Sequence, residues 1–179
     1  ASDLVGQQIA DLVPGKTIPP GVIAWESGLL QLEFYCGATV VAEGPATLDV
    51  LDASRVICRS GRLRAKVPEP ARGFSVLSPT LELVDLGTEF GVEVTRGGET
   101  EVHVFDGVVE IYDPETNRNR QSRRELRAGD AVAVGHNGDS KSIVMRQDFV
   151  TPGRLSEIKS TRRLEQQVDW RQFRESLRK

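Results

Sequence analysis

Short runs in which apolar and polar residues alternate, each broken by a glycine, constrain this chain more than any other feature. Leu30, Leu32, Phe34 and Cys36 alternate with Gln31, Glu33 and Tyr35. The same period recurs at Val92 and Val94, Val102 and Val104, Val109 and Ile111, and Val132 and Val134. A period of two puts successive side chains on opposite faces of an extended chain, so these runs read as half-buried strands. Gly97-Gly98 and Asn137-Gly138 lie between such runs and accept the positive φ of tight hairpin turns.

The strands also carry a repeat. Ile23, Gly28, Leu30 and Leu32; Val56, Gly61, Leu63 and Ala65; and Val102, Gly107, Val109 and Ile111 share one spacing. Each is a β-branched residue, four residues, a glycine, then apolar residues at +2 and +4, with a weaker copy starting at Gly129. A strand, a glycine corner and a second strand keep both arms facing one core. Stacked units of this kind predict an all-β fold: a twisted β-roll, a short β-solenoid or a jelly-roll-like sandwich.

At 179 residues the chain suits one domain with an appendage. Residues 1–150 read as the β domain. After Val150 the β-branched runs stop, Thr151-Pro152 has the form of a helix start, and residues 151–179 read as a helical tail or interdomain connector. Leu155, Ile158, Trp170, Phe173 and Leu177 share one helical face, but Leu164 and Val168 fall opposite, which predicts a kink or two pieces. A formal net charge of −3 argues against a nucleic-acid partner, and the arginines between residues 115 and 127 read as a solvated face. No run reaches the roughly 20 apolar residues that cross a bilayer as a helix. Cys36 and Cys58 share the inward parity of Phe34 and Val56 and read first as buried free thiols, second as a disulfide.

Catalytic groups are sparse. His103 and His136 read as surface residues, because neither has a Cys, His or carboxylate at metal-ligand or triad spacing. Asp85-Leu86-Gly87 has the outline of an aspartic-protease strand, yet Leu86 stands where a hydroxyl must fix the carboxylate, and no second copy occurs. Asp85 and Thr88 read instead as short side chains bonding to local amides, with Gly87 and Gly91 allowing a tight or bulged path. Arg62, Arg64 and Lys66 form a cationic strand face that pairs with acidic neighbours such as Glu43 or Asp49. No catalytic residue, metal ligand or cofactor site emerges. Trp25, Tyr35 and Tyr112 are the aromatics that could stack on a sugar, while Phe34, Phe74, Phe90 and Phe105 occupy core-like positions.

Four strings, in order, then resemble a known family. They are Leu32 to Ala46 (LEFYCGATVVAEGPA), Val67 to Phe74 (VPEPARGF), Val84 to Val92 (VDLGTEFGV) and Val102 to Val109 (VHVFDGVV). Together they resemble the FecR domain, in the form found in Planctomycetes envelope proteins that often carry a following lectin-like domain. The resemblance implies a non-catalytic, extracytoplasmic module that senses or relays a signal through protein contacts in sigma/anti-sigma signalling. Its partner would be an envelope receptor or a neighbouring domain of the same polypeptide, and its membrane helix would lie before Ala1. Gly28, Gly61, Asp85, Gly87, Thr88, Phe90 and Gly107 are read as its structural motif. A carbohydrate-binding or wall-associated module is the alternative.

Overall fold

A computed structural model describes residues 7–8, 17–116, 118, 121–153 and 163–167. Its strands are β1 (Gln7–Gln8), β2 (Gly21–Trp25), β3 (Leu29–Glu33), β4 (Thr39–Asp52), β5 (Arg55–Lys66), β6 (Ser75–Leu77) and β7 (Glu82–Asp85). They continue with β8 (Glu89–Val94), β9 (Thr100–Asp106), β10 (Val108–Tyr112), β11 (Arg124–Arg127), β12 (Ala131–Val134), β13 (Ser140–Ser142) and β14 (Arg163–Gln167). Among the described residues, two short 3-10 turns, Glu69–Ala71 and Pro114–Thr116, interrupt them. The all-β reading stands, and of the three forms expected the chain takes the roll, a single curled mixed sheet that makes a half-barrel.

The long β4–β5 hairpin is the hub. Asp52 closes its turn by accepting the Ser54 N–H at 2.9 Å, as Asp does in tight turns. The first part of β4 pairs with β3 and with Arg62–Lys66 of β5, and Gly61–Lys66 of β5 in turn pairs with β8. Beyond a register shift between Glu43 and Thr47, β4 pairs with β2, while Arg55–Ile57 of β5 pairs with β6. One row therefore runs β3–β4–β5–β8–β9–β12–β13 and the other β2–β4–β5–β6–β7–β10–β11.

Each glycine of the repeat marks a crossing between rows. Gly28 joins β2 to β3, Gly61 lies inside β5, and Gly107 joins β9 to β10. Gly87 and Gly129 do the same for β7–β8 and β11–β12. Both rows then face one core, in which Leu30, Leu32, Leu48, Leu63, Leu83, Phe74 and Phe90 are almost fully buried. Phe34 meets Phe74 edge-on at 4.9 Å between ring centroids, a favoured aromatic geometry. Gly98 and Gly138 take positive φ in the β8–β9 and β12–β13 turns, as the hairpin signals predict.

The tail departs from expectation. Residues 163–167 are not helical but form β14, which runs parallel to β3 along its outer edge. A sheet edge offers a row of unpaired N–H and C=O groups, and an extended segment satisfies them where a helix cannot. Apart from residues 151–153, the rest of the expected helical tail, including Leu155, Ile158, Val168, Trp170, Phe173 and Leu177, lies outside the described residues. No helix among the described residues is long and apolar enough to cross a membrane.

Candidate functional site

Two places carry polar groups in unusual settings. The first is the corner between β7 and β8. Asp85 is fully buried; its Oδ2 accepts the Gly87 N–H at 2.6 Å and its Oδ1 accepts the Thr88 hydroxyl. The Gly107 corner packs directly on it, since a Cβ at Gly107 would lie 2.5 Å from the Gly87 carbonyl oxygen and 2.7 Å from Thr88 Cγ2. Asp85, Gly87, Thr88 and Gly107 are thus brought together, while Phe90 lies in the core and Gly28 and Gly61 sit at other crossings. Gly28 accepts the Gly44 N–H at 2.9 Å through its carbonyl, and Gly61 lies against Pro45 and Ala46.

Burial pushes the Asp85 carboxyl up to about 7, and the backbone amides of Gly87 and Thr88 and the Arg72 charge offset this only in part. Both oxygens are spent on the corner itself. A folded pKa above the ordinary carboxylate value of about 4 means that the unfolded chain loses this proton first. Stability from this group is therefore full below about pH 4 and falls as pH rises toward about 7. Urea denaturation of wild type and Asp85→Asn at both ends of that window checks this. The stability difference, wild type minus variant, should drop with rising pH by on the order of 3 kcal/mol; a pH-independent difference would contradict the assignment.

The second place was not legible as a site. Residues 146–153 leave β13 and cross the outer face of the first row as a strap. Five strands at about 4.8 Å spacing span roughly 19 Å, within the roughly 24 Å that eight extended residues reach. The Arg146 backbone N–H donates to His103 Nδ1 at 3.3 Å on β9, and its guanidinium reaches Glu101 at 3.1 Å and Glu93 at 2.6 Å. Asp148 pairs with Arg62 of β5 at 3.0 Å. Arg64 donates to the Phe149 carbonyl at 3.3 Å and pairs with Glu89 at 2.7 Å. Val150 packs on Leu29 and Val41, and the Gly153 N–H donates to Gln31 Oε1 at 3.1 Å on β3.

Phe149 is the strap's anchor. Its ring lies over Gly91, where a Cβ would come within 2.8 Å of it. Phe105 meets it at 5.8 Å and His103 at 5.2 Å, with the Arg62 and Arg146 guanidinium carbons 5.2 and 5.6 Å from its centroid. Cations over a ring are attracted to its negative face.

Several expectations change here. His103 does point outward from its strand, yet it is completely buried because the strap covers it. Phe105 is on that outer face rather than in the core, under Arg64 at 3.9 Å from guanidinium carbon to ring centroid. Gly91 pairs in regular register with Arg64 and His103, so it makes room for a ring rather than for a bulge. The cationic face finds Glu43 only at 4.0 Å, with Glu93 and Glu89 closer; Asp49 is taken by Arg59 instead. Cys36 and Cys58 are free thiols, the latter fully buried and pushed up to about 12 by desolvation. Trp25 and Tyr112 are nearly covered, leaving Tyr35 as the exposed ring. His136 is exposed, with Nε2 2.7 Å from the Gly97 carbonyl oxygen. One signal could have exposed the strap: a lone glycine inside the β-branched run of β8 marks close approach by another group.

Residues 46–110 match the model of the FecR family, described as FecR protein. That span bears out the resemblance read from the sequence. Two crystal structures, both described as of a candidate anti-sigma factor from Parabacteroides distasonis, share the fold. One matches with a TM-score of 0.57 at 18% identity, over 69% of this chain and 59% of its own. The other has a TM-score of 0.58 at 18% identity, covering 71% of this chain and 61% of its own. The chain thus spans about three fifths of the length of those structures. No curated protein matches it.

Proposed function

From the FecR match over residues 46–110 as premise, we propose that this chain is the sensing and relay part of an extracytoplasmic regulator in sigma/anti-sigma signalling. It works without catalysis, through protein contacts. The match and the fold shared with candidate anti-sigma factors support a regulatory role. The observation that carries the reading is the joint placement of the family match on a curled sheet that ends in exposed strands, β11 at one end and β13 at the other. Such edges take up a partner strand by main-chain pairing. Asp85, a buried carboxylate that could suggest chemistry, is engaged by its own corner, which favours architecture. The carbohydrate alternative is weaker, because sugars stack on exposed aromatic faces and Tyr35 alone of the three candidates is open.

Ser142 supplies the test. Ile143 N–H bonds inward to the Ala131 carbonyl, so the N–H of Ser142, one residue earlier, faces away from β12. Crosslinking in envelope extract should recover a protein partner with wild type, and Ser142→Pro should reduce recovery several-fold while the β fold persists by circular dichroism. If wild type recovers no protein partner, the reading fails. Undiminished recovery with the proline variant would move the contact to β11.

A further inference from the structure

We propose that Arg146–Val150 is an acid-released latch: neutral His103 holds it against β9, and protonation of that imidazole frees the strap. The inference goes beyond the regulatory reading and does not depend on which partner the sheet edges meet.

The hydrogen bonds define the ring's state. Nδ1 faces the Arg146 backbone N–H, which can only donate, and Nε2 lies 3.4 Å from Glu101 Oε2, which can only accept when ionised. The neutral ring therefore carries its proton on Nε2, an assignment made from its partners. Adding a proton turns Nδ1 from acceptor to donor. Two N–H groups then face each other, the strap loses its first tie to β9, and a positive ring stands beside the Arg146 guanidinium.

The surrounding charges pull both ways: the Arg146 guanidinium disfavours a charged ring, whereas the Glu101 and Glu93 carboxylates favour it. Glu101 on β9 and Glu93 on β8 face the ring, and both already hold Arg146. Glu93 also holds Arg62, while Asp148 is shared by Arg62 and Arg146 at 3.0 and 3.3 Å. Ala131 of β12, opposite His103, contributes no charge. A charged imidazole would strengthen its hold on Glu101 and compete with Arg146 for it, loosening the strap further. Phe149 lies against the same ring, so the apolar anchor and the titrating group move together.

Burial, with help from Arg146, lowers the His103 pKa below the ordinary imidazole value, although Glu101 and Glu93 raise it. The released state then binds a proton more readily than the latched state. Closure is fully supported above the ordinary imidazole range and is lost as pH falls below it. Further along the strap, the Gly153 N–H donates to Gln31 Oε1 on β3, so opening it at His103 also loosens that tie.

The test uses the full 179-residue chain labelled with nitrogen-15, titrated from about pH 7.5 to about pH 4.5. The readouts are the His103 ring nitrogens and the exchange protection of the Arg146, Asp148 and Phe149 amides. The Val104 amide, bonded to the Asp130 carbonyl oxygen at 3.0 Å, serves as the core reference. Strap protection should fall about tenfold or more with the midpoint of His103, while Val104 stays protected. In His103→Asn the side-chain oxygen offers an acceptor that does not titrate, and strap protection should no longer step with pH. The latch is overturned if strap protection survives once His103 is charged, if the midpoints differ, if Val104 opens together with the strap, or if the step persists in the asparagine variant. Should that variant fail to fold, the wild-type midpoints decide.

Discussion

Gly61→Ala is expected to destabilise the fold by about 3 kcal/mol or more, lowering the melting temperature by roughly 10 °C in a domain of this size. Gly61 has φ +100, a region that L side chains avoid, and its added Cβ would lie 2.4 Å from Ala46 Cβ, 2.8 Å from Ala46 Cα and 2.9 Å from the Pro45 carbonyl oxygen. Two of those three atoms are backbone and the third, Ala46 Cβ, is fixed by it, in the β4–β5 hub, so relief requires moving the strand pair that joins both rows. Gly129→Ala is the control. Gly129 has φ +95 but nothing within 4 Å of an added Cβ, so only the conformational cost of about 1 kcal/mol remains. Thermal melts of the two variants separate steric from conformational cost; equal losses would mean that Gly61 is not a packed corner.

Phe149→Ala should cost about 3 kcal/mol of local stability, the usual scale for deleting a buried aromatic side chain. The ring is 4% exposed, and its removal empties the space above Gly91 and leaves Arg62 and Arg146 without the face they cover. The loss should be confined to the strap, since Phe149 lies outside the main core cluster. Limited trypsin digestion at neutral pH reads it directly: cleavage after Arg146 should accelerate roughly a hundredfold, while β4 and β5 stay resistant. Gly91→Ala should reproduce the effect from below by pushing the ring off its seat. Unchanged cleavage in both variants would remove the strap's anchoring role.

The strands and their corners were legible because each is a local matter. Alternation at Leu30–Cys36 and a glycine before Val109 require only the pleat and the Ramachandran restriction on L residues. The FecR-like strings were legible for the same reason, since they are made of those corners. Asp85 and Thr88 were readable as local bonding partners, as short Asx-type side chains are. His103 was misread because alternation reports which face a side chain takes, not whether something covers that face. Phe105 was misread likewise, and residues 163–167 carried a composition that suits a helix but found an open strand edge.

The sequence by itself thus determined an all-β chain, the positions at which it turns between rows, and its likeness to FecR over the central segment. Only the tertiary structure decided that residues 146–153 lie across five strands and bury His103. Periodicity and turn chemistry act between neighbours along the chain. The strap is held by contacts between residues up to 122 positions apart, Gln31 to Gly153, and no local rule encodes which face a later segment will cover.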